Sequence, residues 1–440
     1  MSQEMIAIFM FSSMMLMLFT GQRVFGAIGA IGAIAAIALW GVGGSDIPFS
    51  SAMKVMKWYP LLTLPMFIFM GYVLSESKIA DDLYKMFHVW MGPVRGGLAI
   101  GTIGLMVLIS AMNGLSVAGM AIGATVALPE LIKRGYDKRM VTGVIQAGSS
   151  LGILVPPSVV LVLYAMIARQ PVGQLWLAGI LPGLMMAAMF MIYIYIRCRI
   201  QPELGPALPE ADRDISRSEK FKLLRAGLLP LFIFAAMMVP FVNGWTSLVE
   251  SSAVGAATAF LAAVVKKRMT RAVFEVSVRQ TLAISCMFMW IILAALGFGA
   301  VFDGLGAVNA IDGLFTEQLG LNPWMILILM QLSFLIMGTF LDDTAMLVIV
   351  APLYVPLVDA LGFDLIWYGV LYTITTQIAY MTPPFGYNLF LMRAMAPPDI
   401  TLKDIYASIT PFVLVMLFAL ILVMLFPQIA MWLPNYVYGK

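Results

Sequence analysis

The stretch GSSLGILVPPS, Gly148 to Ser158, lies inside an otherwise apolar run and decides how the chain is read. It sets two adjacent prolines, two glycines and three serines where a continuous helix is expected. A double proline removes two backbone donors and clashes with the preceding turn, so carbonyls upstream lose their partners. In hydrocarbon each freed group is costly and must face protein or a polar cavity. An alkali cation is one way to satisfy them. Sodium takes oxygen ligands, and Gly148, Ser149, Ser150, Pro156, Pro157 and Ser158 bring carbonyls and hydroxyls together. A plain proline kink is the other reading.

Composition identifies the solvent. The chain has 440 residues, 62% hydrophobic and 11% charged, with a mean hydropathy of +0.96. Soluble domains carry about 25% charged residues. No water-soluble core hides this many apolar groups, so the chain reads as an all-α polytopic protein of the lipid bilayer. His88 is the only histidine, and Cys198 and Cys286 lack CxxC spacing. That argues against a zinc site or a disulfide framework and leaves both cysteines as inert packing. The N-terminal MSQEMIAIFMFSSMMLMLFTGQ has Glu4 where a signal peptide is basic, and no clean cleavage site follows. It reads as a retained first span.

Apolar runs of about 20 residues mark spans. They fall near 5–20, 25–42, 59–76, 140–168, 175–196, 226–243, 247–265, 280–300, 366–396 and 405–432. Two further apolar segments, 97–132 and 324–360, are interrupted by SAMNGLS (110–116) and GTFLDDT (338–344). Each reads as a re-entrant helical hairpin. With neither hairpin crossing and the N-terminus outside, all 26 basic residues but Lys54, Lys57, Arg169 and Lys440 fall on the inner face. The positive-inside rule expects that bias. The Pro-rich, mixed-charge segment 197–225 reads as a cytoplasmic linker.

The opening motif has an echo in TTQIAYMTPPF, Thr375 to Phe385. Pro156-Pro157 and Pro383-Pro384 are 227 residues apart. The same offset pairs Pro129 with Pro356, Gly135 with Gly362, Asp137 with Asp364 and Pro171 with Pro398. An odd number of spans separates the two broken helices, so the repeats are inverted in the membrane. Inverted repeats with discontinuous helices mark secondary transporters, whose solute and ion sites lie near the midplane.

The sites follow from the two breaks and the two tips. Thr375, Thr376, Thr382 and Pro383 supply in the second break what the serines supply in the first. Asn113, Gly114 and Ser116 offer small and oxygen-bearing groups in the first tip, and Gly338, Asp342, Asp343 and Thr344 do so in the second. A carboxylate at bilayer depth costs about 2.5–3.5 kcal/mol on insertion scales, which makes it a functional candidate by default. Neighbours on a helix do not face one site, so Asp342 is assigned to the cavity and Asp343 to a helix terminus or water. Glu250 reads as part of a helix cap with Thr246 or Ser247, and Arg393 as a side chain snorkelling to the inner interface. ADDLYKMFHVWMG (80–92) reads as an amphipathic helix on the membrane surface or bracing a partner.

LPMFIFMG (64–71), LPELIKRGYD (128–137), GILVPPS (152–158), LAGILPG (177–183), FLDDTAM (340–346) and TPPFGYNLFLM (382–392) together resemble the large membrane subunit of tripartite ATP-independent periplasmic (TRAP) transporters. The resemblance runs in order over nearly the whole chain. It implies a sodium-coupled importer working by an elevator motion, in the bacterial inner membrane. It also implies two partners, a small four-helix membrane subunit and a periplasmic substrate-binding protein. At the first tip this chain has Asn113-Gly114-Leu115-Ser116 where the family often has Ser-Gly-Ser-Ser, and Ser247-Leu248-Val249-Glu250 stands for Thr-Pro-Thr-Glu.

The expected layout is scaffold helices in 1–58, a first repeat in 59–174, further scaffold in 175–279, a second repeat in 280–398 and a C-terminal scaffold helix in 399–440. Sodium is the expected coupling ion, with no other cofactor, no transition metal and no nucleic acid, and a small organic anion is the cargo. A stand-alone sodium–dicarboxylate symporter is the runner-up. An intramembrane aspartyl hydrolase fits poorly, because Asp342 and Asp343 are neighbours and the other repeat offers Ser116 in place of a carboxylate.

Overall fold

The computed structural model describes residues 2–439 apart from 21, 115, 208–216, 314–319, 339–342 and 384–385. Among the described residues all regular structure is helical. Four of these helices are long and apolar enough to cross a membrane: Val172–Ile200, Leu248–Val265, Arg271–Gly304 and Leu402–Leu425. Shorter apolar helices accompany them, including Gln3–Phe19, Val24–Leu39 and Thr63–Glu76.

Two interrupted segments form the centre. Every residue from Met140 to Ala168 is buried, as is every residue from Ile366 to Met381. Helices buried on all sides belong in the core, whatever their polarity. The first segment is Lys138–Ser150, a short 3₁₀ turn Leu151–Ile153, the Pro156-Pro157 pair joined by a cis bond, and Val159–Ile167. The second is Leu365–Ala379 and Tyr387–Met395.

Sequence dictates both starts in the same way. Asp137 caps the first segment by accepting from the N–H groups of Arg139 and Met140, both at 3.0 Å. Asp364, 227 residues on, accepts from Ile366 at 2.8 Å and Trp367 at 3.0 Å. An aspartate at this position meets backbone donors that the helix leaves orphaned. Gly135 and Gly362 precede them at φ +80° and +78°, a conformation that glycine adopts without a Cβ penalty.

A hairpin lies against each break. Gly97–Asn113 turns at Gly114 into Ser116–Ile122, a π-helical turn Gly123–Ala127 and Leu128–Lys133. Gly119 and Gly123 of the returning arm both approach Met106 of the first, as antiparallel arms require. Pro323–Gly338 and Asp343–Ala360 form the second hairpin, with Ser333 Oγ 2.9 Å from Tyr354 OH and Gly338 against Met346. The second arm of each hairpin also packs across the molecule. Ser116–Ile122 meets Tyr387–Met395, and Asp343–Ala360 meets Val159–Ile167.

The structure differs from the sequence expectation at several boundaries. The run expected near 405–432 is two helices, Leu402–Leu425 and Gln428–Tyr438, divided at Phe426-Pro427 because a proline disfavours helix in the residue before it. Asp46–Met56 and Ala307–Gly313 are helices that apolar-run counting missed, being short. The linker 197–225 is helical at both ends, since Val172–Ile200 runs into it and Arg217–Val242 begins in it. The segment 80–92 forms helix Ile79–Met91, which packs on Gly97–Asn113 and Arg217–Val242. Gly101 and Gly104 of the hairpin make room for its Phe87. Ser247 and Glu250 close a reciprocal capping box, and Arg393 donates to the carbonyl of Ile400 at 3.2 Å.

Candidate functional site

The first break is satisfied from within and from the facing tip. Ser158 caps Val159–Ile167 by accepting from Leu161 N at 3.1 Å, and its hydroxyl donates to the carbonyl of Ile153. The Ser158 carbonyl accepts from Trp176 Nε1 at 3.4 Å. Gly114 of the first tip accepts from Val159 N at 3.2 Å. It sits at φ +64°, and a Cβ added there would lie 2.0 Å from the Pro157 carbonyl oxygen. Ser149 and Ser150 donate to the carbonyls of Gln146 and Ala147 at 2.9 and 2.7 Å. Their protons are engaged, and their lone pairs are left to accept or ligate.

The second break is built from similar parts. Thr376 donates to Tyr372 O at 2.8 Å and Thr382 to Ile378 O at 2.6 Å. Thr375 donates to Gln331 Oε1 at 2.5 Å and so ties the broken helix to the first arm of its hairpin. Gly338 fits only because it lacks a Cβ, which would stand 2.4 Å from that of Ala379. Tyr380 O accepts from Asn388 N at 3.2 Å. Pro383 is exposed.

Two links join the breaks. Gln377 Nε2 donates to Ser150 O at 2.8 Å, with Tyr380 OH at 3.4 Å from the same oxygen. Residues 150 and 377 are themselves 227 apart, so the bond joins two positions that the sequence offset pairs. Ser116, in the first tip, lies 3.4 Å from the side chain of Asn388 in the second broken helix. Tyr164 stacks on Tyr372 with ring centroids 6.3 Å apart, and Phe334 meets Tyr372 edge-on at 5.0 Å. Polar atoms are thereby concentrated in the most buried part of the molecule. Among the described residues Gln146, Gln331 and Gln377 each keep one buried amide atom without a hydrogen-bond partner: Oε1, Nε2 and Oε1 respectively. Unpaired buried polar atoms cost free energy and call for an explanation such as a bound water or ion.

Gly114, Ser116, Gly148, Ser149, Ser150, Pro156, Pro157 and Ser158 therefore gather at the first tip and break. Gly338, Thr375, Thr376, Thr382 and Pro383 line the second break and its hairpin. Asp342 lies outside the described residues, as do the side chains of Asn113, Asp343 and Thr344. Asp343 is the first residue of helix Asp343–Ala360. Sequence reasoning passed over Gln146, Gln331, Gln377, Tyr380 and Asn388. Amide and phenol side chains within apolar runs were the available signal.

The chain matches, over residues 11–429, the family described as "Tripartite ATP-independent periplasmic transporter, DctM component". It is 31% identical over 381 residues to the C4-dicarboxylate TRAP transporter large permease protein DctM of Pseudomonas aeruginosa, covering 86% of this chain and 87% of that one. It is 27% identical to the ectoine TRAP transporter large permease protein TeaC of Halomonas elongata, covering 90% and 91%. Its fold resembles the crystal structure of the Alcanivorax borkumensis YdaH transporter with a TM-score of 0.65 at 15% identity, over 97% and 98% of the two chains. The two TRAP relatives are transporter permease subunits and not enzymes. The buried helix breaks and the family match together place this chain in the tripartite ATP-independent periplasmic transporter family, as a large membrane-embedded permease subunit.

Proposed function

We propose that this permease imports a small organic anion by sodium-coupled secondary transport across the bacterial inner membrane. The observation that carries the proposal is the pairing of two tip-and-break assemblies through Gln377 and Ser150. Each assembly concentrates carbonyl, hydroxyl and amide oxygens in a buried place, the chemistry that an alkali cation requires. In this reading sodium at each assembly orders the adjacent tip, and the anion binds between the tips. The hairpin helix N-termini, and the dipoles behind them, favour the negative charge. Relatives named for C4-dicarboxylate and ectoine favour a carboxylate-bearing cargo.

The cross-packing of hairpins and broken helices, and the matched caps at Asp137 and Asp364, support two inverted repeats moving as one body against a scaffold. Membership of a tripartite family implies two partners. We assign them as a small four-helix membrane subunit and a periplasmic binding protein that delivers the cargo, with the N-terminus of this chain on the periplasmic side.

Uptake of a radiolabelled C4-dicarboxylate into proteoliposomes, with the partners present, tests the proposal. Uptake should require an inward sodium gradient and saturate with sodium. Uptake indifferent to sodium overturns the coupling, and transport by this chain alone favours a self-sufficient symporter. Ser149→Ala and Thr376→Ala should each raise the sodium concentration for half-maximal uptake. If neither does, the breaks are not ion sites.

A further inference from the structure

A cavity of about 550 Å³ lies apart from the helix breaks, where Lys138–Ser150 begins and Val172–Ile200 ends. Its walls include Arg139 and Met140 from the first helix, Tyr193 and Arg197 from the second, and Pro411 and Phe412 from Leu402–Leu425. Met140 and Phe412 are buried, whereas Arg139 and Arg197 are exposed. The charges therefore stand at the mouth and the apolar groups behind them.

The charges are not all compensated. Arg139 pairs with Asp404 at 3.3 Å. Asp137, also in the wall, uses Oδ1 to cap its helix. Among the described residues Arg197 has no carboxylate partner. Arg139 and Asp404 offset each other and Asp137 is committed to its helix N-terminus, so among the described residues Arg197 is the lining cation left to meet an anion. A planar guanidinium matches phosphate oxygens in bidentate geometry.

The surroundings choose between anions. Basic residues collect at this end of the molecule, because segments distant in sequence meet there. Lys138 pairs with Asp399 at 3.2 Å, Asp137 N donates to Leu204 O at 3.2 Å, and Gly96 N donates to Gly205 O at 2.9 Å. Such clusters mark the cytoplasmic surface of a membrane protein, and basic pockets between spanning helices on that side bind anionic headgroups. An apolar track leads away from the mouth. Leu414 and Phe418 follow Pro411 on one face of their helix and are 61% and 55% exposed. Ile192 and Ile196 flank Tyr193 and Arg197 and are 56% and 50% exposed. A free phosphate has no use for such a track, but an acyl chain does.

We propose that this cavity binds the phosphodiester headgroup of an anionic phospholipid from the inner leaflet. Arg197 holds the phosphate, and the acyl chains lie along the Leu414–Phe418 face. The lipid joins the base of the first broken segment to Val172–Ile200 and Leu402–Leu425.

Native mass spectrometry and thermal unfolding of the full-length permease in mild detergent test this, with dioleoylphosphatidylglycerol, dioleoylphosphatidylcholine or inorganic phosphate added. Phosphatidylglycerol should remain bound and raise the Tm, while phosphatidylcholine and phosphate do neither. Arg197→Gln should reduce retained phosphatidylglycerol about tenfold, the usual worth of a charge-assisted hydrogen bond. Arg197→Lys should fall between, and Arg199→Gln, outside the cavity, should match the parent. Equal retention of phosphatidylcholine overturns the proposal, as does full retention by Arg197→Gln. A Tm rise with inorganic phosphate alone assigns the cavity to a free anion instead. Both readouts are independent of transport and so of the sodium coupling.

Discussion

A methyl group at Gly114 has no room. The residue sits at φ +64°, and its Cβ would stand 2.0 Å from Pro157 O. Gly114→Ala should therefore push the first tip off its break and lower uptake about tenfold, the scale of a 1.4 kcal/mol change. Gly26, in a helix with open space around it, is the control. Gly26→Ala should leave uptake unchanged and raise stability slightly, because alanine loses less backbone entropy in a helix. Tyr136 offers a second test. Burial pushes its phenol pKa above the ordinary tyrosine value, so it stays neutral and accepts from Leu98 N at 3.2 Å. Tyr136→Phe leaves that donor unpaired at the start of the first hairpin and should cost about 1–3 kcal/mol, read from thermal unfolding. The importance of a small residue at 114 was legible in SAMNGLS. The roles of Gln146, Gln331 and Gln377 were not, since an isolated glutamine in an apolar run carries no local sign of its partner.

Helix ends and hairpin arms obey local rules more closely. Asp137 and Asp364 start the two buried segments with the same two-donor cap, so Asp137→Ala and Asp364→Ala should each lose about 1 kcal/mol of stability. Unequal shifts in Tm would show that the surroundings of one cap compensate for its loss. The interruptions were readable from Pro156-Pro157 and Pro383-Pro384 because proline acts within a single turn. The partners of the interrupted segments were not readable. Ser116 meets Asn388 across 272 positions, and no spacing rule reaches that far. A double-mutant cycle on Ser116→Ala and Asn388→Ala should give a coupling energy within the roughly 0.5–3 kcal/mol seen for residues in contact.

At the scale of the molecule, the proposed motion of two repeats against a scaffold can be tested at one helix contact. Lys138–Ser150 packs on Leu402–Leu425, with Gln146 Nε2 3.4 Å from Ser408 Oγ and Gly143 against Phe412. The sequence layout assigns these helices to different bodies, the first to the moving repeat and the second to the scaffold. A mercury bridge between Gln146→Cys and Ser408→Cys, with Cys198 and Cys286 replaced by serine, should arrest uptake reversibly by thiol. Uptake that survives the bridge places the C-terminal helix in the moving body.

Apolar composition chose the lipid solvent, the paired prolines placed both helix breaks, and Asp137 and Asp364 set where the broken segments begin. Each works through solvation or through backbone geometry within a turn or two, so each is written in the sequence. The tertiary structure decided the rest. It brought Gln377 to the carbonyl of Ser150, Asn388 to the first tip, and Arg139 and Arg197 to one cavity. A buried amide or a mobile guanidinium acquires its partner only when distant segments pack, and packing is a property of the whole chain. GSSLGILVPPS thus announced a break, and the fold supplied the tip, the amide and the second break that surround it.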